Sequence, residues 1–252
     1  MTRLDGRVAL VTGSSRGIGA EIARLFASEG AAVAVHGRDA AMVEDVRSKI
    51  EADGGRAAGV VGDVLDEEVL PNLRAQITDS LGVVDVLVTC AGGNFTAPAP
   101  LEEIPLEGWR ATVEGNLTAT FLTIKAFLPG MKELGRGEII TISSTAGRAA
   151  AARVPIAYAA AKAGIQLMTQ DVALQAGPHG IRANCIAPET ILTERNRQQI
   201  PPELQSQMAA RHVTGRLGTP SDVAQAALFL ADREASGWIT GTILDVAGGT
   251  TT

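Results

Sequence analysis

The chain contains one tyrosine, in Tyr158-Ala-Ala-Ala-Lys162. On a helix, residues four apart lie on one face, stacked a turn apart. An ammonium beside a phenol favours the phenolate and draws its pKa down from a reference near ~10. Such a tyrosine exchanges a proton with an alcohol or a carbonyl oxygen, which makes the pair a candidate general acid/base.

A pair like this needs a frame to hold it, and the hydropathy pattern describes one. Short apolar runs occur at Val8–Thr12, Ala32–His36, Ala57–Val61, Val84–Thr89, Glu138–Ser143, Ile181–Ile186 and Thr242–Val246. Between them, apolar residues recur at helical spacing, as in Ile18, Ile22, Leu25 and Phe26. Strand–helix alternation predicts an α/β fold: a doubly wound, Rossmann-type parallel sheet of about seven strands with helices on both faces. Gly30 is placed to close the first helix, and Thr219-Pro220-Ser221-Asp222 to open a late one. With no repeat and no linker, residues 1–252 read as a single domain. The weakly patterned stretch 189–218, with Pro201-Pro202 inside it, reads as a substrate lid.

Composition narrows the function classes. Hydrophobic residues make up 46% of the chain but aromatics only 3%, so the core is aliphatic, as suits buried parallel strands. The net charge of −6, without blocks of like charge, argues against nucleic acid as a partner. No run is long enough to span a bilayer. His36, His179 and His212 are scattered and the cysteines match no ligand spacing, which leaves no metal site. Cys90 and Cys185, both in apolar runs, read as buried thiols in a reducing cytoplasm.

The first strand runs into Gly13-Ser14-Ser15-Arg16-Gly17-Ile18-Gly19 and then a helix. Glycines permit a tight turn and close backbone approach to a pyrophosphate, and the helix start supplies free N–H groups. The second strand ends at Gly37-Arg38, where an NAD site usually carries an acid. An arginine there, with Arg16 facing the same region, suits a 2′-phosphate. The expected cofactor is NADP (NADPH) rather than NAD.

Taken together, Thr12-Gly13-x-x-x-Gly17-x-Gly19, Asn116, Ser144, Tyr158-x-x-x-Lys162, Ile239-Thr-Gly241 and Gly248-Gly249 resemble the short-chain dehydrogenase/reductase family from end to end. The resemblance implies an enzyme that moves a hydride between nicotinamide and a ketone or secondary alcohol. It makes Tyr158 the general acid/base, with Lys162 lowering its pKa and holding the nicotinamide ribose. Ser144 would hydrogen-bond the substrate oxygen. Asn116, on a helix expected over Thr112–Leu134, would hold a water linking Lys162 to solvent. Asp63 and Val64 would meet the adenine. Cys90, Ala91 and Gly92 would pass under the ribose and nicotinamide, and Pro188, Ile191 and Thr193 would meet the carboxamide. The resemblance also implies a homotetramer, with no membrane attachment. Its nearest-looking branch is the 3-oxoacyl-carrier-protein reductases, where Lys132, Arg136 and His179 fall near the basic residues that dock the carrier.

The chain departs from the family pattern in four places. Thr89-Cys90-Ala91-Gly92 stands where Asn-Asn-Ala-Gly is common, which removes amide hydrogen bonds. Pro188-Glu189 replaces Pro-Gly, and Glu189 is expected to point to solvent. Ser144 and Tyr158 are one residue further apart than usual, with hydroxyls also at Ser143 and Thr145. The insertion falls in Gly147–Pro155, which carries Arg148 and Arg153. Finally, the usual acidic-glycine-glycine reads Asp245-Val-Ala-Gly248-Gly249. The substrate walls are expected from Gly93–Thr96, Ala149–Arg153 and Glu189–Arg211. Their apolar residues, with Arg195, Arg197 and Arg211, would suit a ketone with a polar or anionic tail. The alternative function is a dinucleotide-binding sensor or structural subunit without catalysis. A methyltransferase on a similar sheet has no need of Arg16, Arg38 and the Tyr158/Lys162 pair.

Overall fold

The structure, a computed structural model, describes residues 2–151 and 154–249. Seven strands form one sheet in the order β3-β2-β1-β4-β5-β6-β7, every neighbouring pair parallel. They are β1 Val8–Thr12, β2 Ala32–Gly37, β3 Arg56–Val61, β4 Val86–Thr89, β5 Gly137–Ile142, β6 Ile181–Pro188 and β7 Ile243–Val246. The helices are α1 Gly17–Ser28, α2 Ala40–Ala52, α3 Val69–Ser80, α4 Leu106–Val113, α5 Ala119–Leu134, α6 Ile156–Ala176, α7 Glu194–Gln199, α8 Pro202–Ala209, α9 Pro220–Ala231 and α10 Arg233–Ser236.

Successive residues of each central strand serve opposite faces. Val86 and Val88 join one apolar core with Ile22, Phe26 and Leu228, while Leu87 between them joins another with Ile77, Phe127 and Met131. Both faces of the sheet are therefore buried, which explains the near-continuous apolar runs. The strand order reverses between β1 and β4. Their C-terminal ends form the crevice where open α/β sheets bind ligands.

At the opposite end of the sheet, the buried Glu138 carboxylate lies 2.7 Å from the Arg182 guanidinium and 3.3 Å from that of Arg233. Asp85 pairs beside it with Arg7 at 2.8 Å and Arg136 at 3.0 Å. This cluster ties the starts of β1, β4, β5 and β6 together. Arg136, expected near a carrier-docking surface, is engaged here.

Local signals read from the chain take their expected places. Gly30 has φ +92° just beyond α1, and Thr219 with Asp222 forms a capping box on α9. Two elements differ. The helix expected over Thr112–Leu134 is interrupted by a π-helical turn, Glu114–Thr118, between α4 and α5. The stretch 189–218 contains the short helices α7 and α8, and a parallel bridge from Ile191 to Gly218 closes its base. No helix among the described residues is long and apolar enough to cross a membrane.

Candidate active site

The loops after β1, β2, β4 and β6 converge at the crevice. Gly13 has φ +67°, and a Cβ on it would lie 2.9 Å from the Ala91 backbone. Any side chain there would push the loop after β4 away from the glycine turn. At Gly37, a Cβ would meet Ser15 at 2.9 Å and Val43 at 3.0 Å. Gly17 faces the Thr193 methyl, its ideal Cβ 3.5 Å away, so the segment after β6 closes over the same turn. These close approaches leave backbone, not side chains, lining a cradle at the N-terminus of α1, which suits a dinucleotide pyrophosphate.

The turn is braced by Thr12, the first residue of its motif, and by Ser14 and His36, which spacing alone did not single out. Thr12 Oγ1 accepts the N–H groups of Cys90 (3.1 Å) and Ala91 (3.2 Å). Ser14 Oγ donates to Val11 O at 2.6 Å and accepts from His36 N at 2.8 Å. His36 Nδ1 accepts from Gly13 N at 3.3 Å, which places the ring proton on Nε2. Burial lowers the pKa of this imidazole to about 4, so it remains a neutral brace. Its signal was its place at the end of a buried strand beside the first.

Arg16 and Arg38 are both exposed, each adjoining one of the residues that meet at the Ser15–Gly37 contact. Arg38 makes only a loose pair with Asp63, at 3.4 Å, while Asp39 caps α2. Asp63 and Val64 follow β3, and Leu65 N donates to the Asp63 carboxylate at 3.0 Å.

Across the crevice, α6 carries Tyr158, Lys162 and Gln166 at successive i,i+4 positions. Lys162 Nζ is buried, donates to Ile142 O at 2.9 Å, and lies 5.5 Å from the centroid of the Tyr158 ring. Ser143 and Ser144 diverge. Ser143 Oγ points into the core, donating to Lys162 O at 2.8 Å and accepting from Gln166 Nε2 at 3.0 Å. Ser144 Oγ accepts from Ala146 N at 3.2 Å and lies beside the Tyr158 phenol. The neighbouring serine is thus a brace, and Ser144 is the one at the tyrosine. Gln166, which also donates to Ser144 O at 3.0 Å, was legible only by extending the Tyr158/Lys162 stripe one more turn.

The electrostatics correct one expectation. Burial raises the Tyr158 pKa above its ordinary value, and the Ser144 hydroxyl works the other way. Burial also lowers Lys162 to about 8, with the nearby Cys90 and Cys185 thiols opposing that shift. In the protein alone, desolvation thus sets the direction of the phenol's shift.

Asn116 sits in the π-helical turn, fully buried. Its Nδ2 donates to Gly93 O and Thr112 O, both at 2.8 Å, and its Oδ1 accepts from Gly93 N at 3.1 Å. The amide is committed to the loop after β4. The Asn116 carbonyl accepts from Thr120 Oγ1 at 2.8 Å.

The departures resolve individually. The buried Thr89 hydroxyl has no hydrogen-bond partner, consistent with the loss of an amide brace there. Cys185 is buried, but Cys90 is partly exposed at the crevice, because β4 ends just before it. Burial pushes the Cys90 thiol up to about 11. Glu189, with its side chain 28% exposed, is turned back onto the protein: its Oε2 lies 2.9 Å from His212 Nε2 and accepts from Thr190 N. Arg148 pairs with Asp245 at 3.5 Å, tying the inserted segment to β7. Ala152 and Arg153 lie outside the described residues. Arg195, Arg197 and Arg211 are exposed. Pro188 ends β6, and Ile191 is buried at the base of the segment 189–218. Among the described residues, no group of three or more His, Cys, Asp or Glu is placed to hold a metal ion.

Comparison with known proteins is consistent with this geometry. A family profile described as Enoyl-(Acyl carrier protein) reductase matches residues 13–251. The chain belongs to the short-chain dehydrogenase/reductase family. Within that family, it is 37% identical over 246 residues to the (2S)-[(R)-hydroxy(phenyl)methyl]succinyl-CoA dehydrogenase subunit BbsD of Thauera aromatica, covering 98% of this chain and 97% of the relative. It is 38% identical over 247 residues to 7alpha-hydroxysteroid dehydrogenase of Escherichia coli K12, covering 98% and 95%. A 3-oxoacyl-[acyl-carrier protein] reductase structure from Brucella melitensis superposes with a TM-score of 0.93 at 35% identity, covering 100% of this chain and 93% of that one. A 7α-hydroxysteroid dehydrogenase structure with NADH and 7-oxo glycochenodeoxycholic acid also gives 0.93, at 37% identity, covering 99% and 96%. This short-chain dehydrogenase/reductase is therefore an oxidoreductase of the dehydrogenase/reductase type, with its candidate groups at the C-terminal edge of the sheet.

Proposed function

We propose that the protein is an NADP-dependent reductase of ketones, or dehydrogenase of secondary alcohols, with Tyr158 as general acid/base. The observation that carries the reading is the convergence of Ser144, Tyr158 and Lys162 at the crevice faced by the glycine turn. Bound there, the dinucleotide would supply or accept the hydride. Tyr158 gives a proton to the carbonyl oxygen during reduction, or takes one from the alcohol during oxidation. Ser144 hydrogen-bonds the same oxygen as its charge changes. Lys162 supplies positive charge beneath the phenol, and Asn116 fixes the Gly92–Gly93 loop. The Gly13, Gly17, Gly19 turn with Ser15 and Ile18 would hold the pyrophosphate. Gly37 leaves room, and Arg16 and Arg38 charge, for a 2′-phosphate. Asp63, Val64, Cys90, Ala91, Gly92, Pro188, Ile191 and Thr193 would complete the cofactor cradle. The segment 189–218 would act as the substrate lid.

The substrate class stays broad, because Arg148 is engaged by Asp245 and the lid arginines are exposed. 3-Oxoacyl thioesters are one candidate, in line with the carrier-protein reductase among the solved relatives. The test is a steady-state panel with NADPH and NADH: a β-ketoester, a 3-oxoacyl thioester, a cyclic ketone and a ketosteroid, with the matching alcohols in reverse. Turnover of at least one pair, faster with NADPH, is expected. Dinucleotide binding without any turnover would favour the sensor reading.

The same reading includes a homotetramer. Phe121, Leu167 and Leu174 are 49%, 62% and 77% exposed on α5 and α6. Phe121 and Leu167, with Leu117, Gly164 and Met168, line a depression of about 450 Å³. Burying such a face between copies removes apolar surface from water. Light scattering is expected to give four times the chain mass, and a monomer would refute this part.

A further inference from the structure

We propose that Glu189 and His212 form a proton-dependent clasp that positions the lid, a role that rests on reading 189–218 as the substrate lid. Helices α7 and α8 have no fully buried residue, so little apolar packing fixes where they sit. Their position is set at the base of the segment. One tie is backbone: Leu192 N donates to Gly218 O at 2.7 Å, and Gly218 N to Thr190 O at 3.2 Å. A second backbone tie, Thr214 N to Gly248 O at 3.1 Å, holds the far end, and a third joins side chains from the two ends. Glu189 directly follows β6, and His212 lies three residues beyond α8.

His212 is 6% exposed and packed against Gly248, where a Cβ would lie 3.1 Å from its ring. Its Nδ1 lies 2.9 Å from Met208 O, and its Nε2 lies 2.9 Å from Glu189 Oε2. No other carboxylate among the described residues lies within ion-pair distance of the ring. A carbonyl oxygen only accepts, so Nδ1 must carry a proton. The carboxylate oxygen also only accepts, and it already takes the Thr190 N–H. Both ring contacts are therefore made only when the pair holds one proton more than a neutral imidazole and a carboxylate. Releasing that proton leaves one of the two contacts without a hydrogen. The sign follows: the clasp is closed while the proton is held, and loosens as pH rises through its release. Glu189 and His212 are positioning residues, with no role in proton transfer to substrate.

The test is hydrogen exchange across residues 194–213 in the NADPH complex, between about pH 6 and about pH 9. Protection is corrected for intrinsic rates, and KM and kcat are measured with the ketone of the panel that turns over fastest. In the wild type, lid protection should fall and KM rise about tenfold with pH, the effect of losing one charge-assisted hydrogen bond. Glu189→Ala should show the high-pH values throughout. His212→Gln, whose amide donates to Glu189 without titrating, should keep the low-pH values throughout. A kcat change shared by all three proteins belongs to Tyr158 and Lys162 instead. Unchanged protection in Glu189→Ala, or pH dependence persisting in His212→Gln, overturns the clasp. Altered protection with an unmoved KM overturns the lid reading and leaves the clasp as a structural tie.

Discussion

Replacing Tyr158 with phenylalanine is expected to lower kcat/KM about 10³-fold in both directions, the range for losing a positioned general acid/base. NADPH affinity should stay near the wild-type value, because the phenol contributes only a hydroxyl to the pocket. The accompanying prediction is spectroscopic. Tyr158 is the only tyrosine, so its titration can be read directly. In the free protein burial holds the phenol above its ordinary value, and Lys162 titrates near 8. With oxidised NADP bound, a further positive charge enters the same crevice, so the phenol should move down. The rates should follow in sign. Reduction needs the protonated phenol and should be flat through neutral pH. Oxidation needs the phenolate and should rise with pH. Activity of the Tyr158→Phe variant close to wild type, or a phenol unmoved by NADP, would remove Tyr158 from the chemistry.

Replacing Arg16 and Arg38 together with alanine is expected to weaken NADP binding by at least about 100-fold while leaving NAD affinity nearly unchanged. A hydrogen bond to a charged group contributes about 1.5–3 kcal/mol, and each factor of ten takes about 1.4 kcal/mol. The Arg38 side chain is 70% exposed, so the lower end of that range applies. Its partner Asp63, at 3.4 Å, is too loosely held to keep it from a phosphate. Screening supplies a second readout: the preference for NADP over NAD should narrow as salt increases. The structure of the hydroxysteroid dehydrogenase relative with NADH shows that the family fold accepts the unphosphorylated cofactor. The proposed selectivity for NADP would therefore have to come from the rim and not from the cradle. Titration calorimetry with both dinucleotides decides it, and equal wild-type affinities would end the argument.

Much of the frame was legible along the chain because its causes are local. Strands buried on both faces are apolar throughout, and Gly13 has to be glycine for the turn it makes, so composition and position report them directly. The Tyr158/Lys162 stripe was legible because helical periodicity alone puts those residues on one face. The interruption at Glu114–Thr118 was not, because Gly115 weakens a helix without saying that the turn will widen there. There the buried Asn116 amide is satisfied by Gly93, on a different loop.

What only the tertiary structure decided depends on residues far apart in sequence. Ser143 and Ser144 have the same chemistry and adjoin each other. Only the packing of α6 against the end of β5 turns one to Lys162 O and the other to the phenol. The direction of the Tyr158 shift follows from how much of the chain covers it, whereas spacing reports only that Lys162 is near. Glu189 was expected in solvent because a lone carboxylate in a loop is usually hydrated. Its partner His212 is brought to it by the return of the chain after α8 to the end of β6. Sequence by itself determined the sheet, the glycine turn and the placing of Tyr158 and Lys162 on one helix face, each of which answers to short-range sterics or periodicity. The direction of the pKa shifts, the separate partners of Ser143 and Ser144 and the contact between Glu189 and His212 answer to burial and to neighbours that only folding brings together.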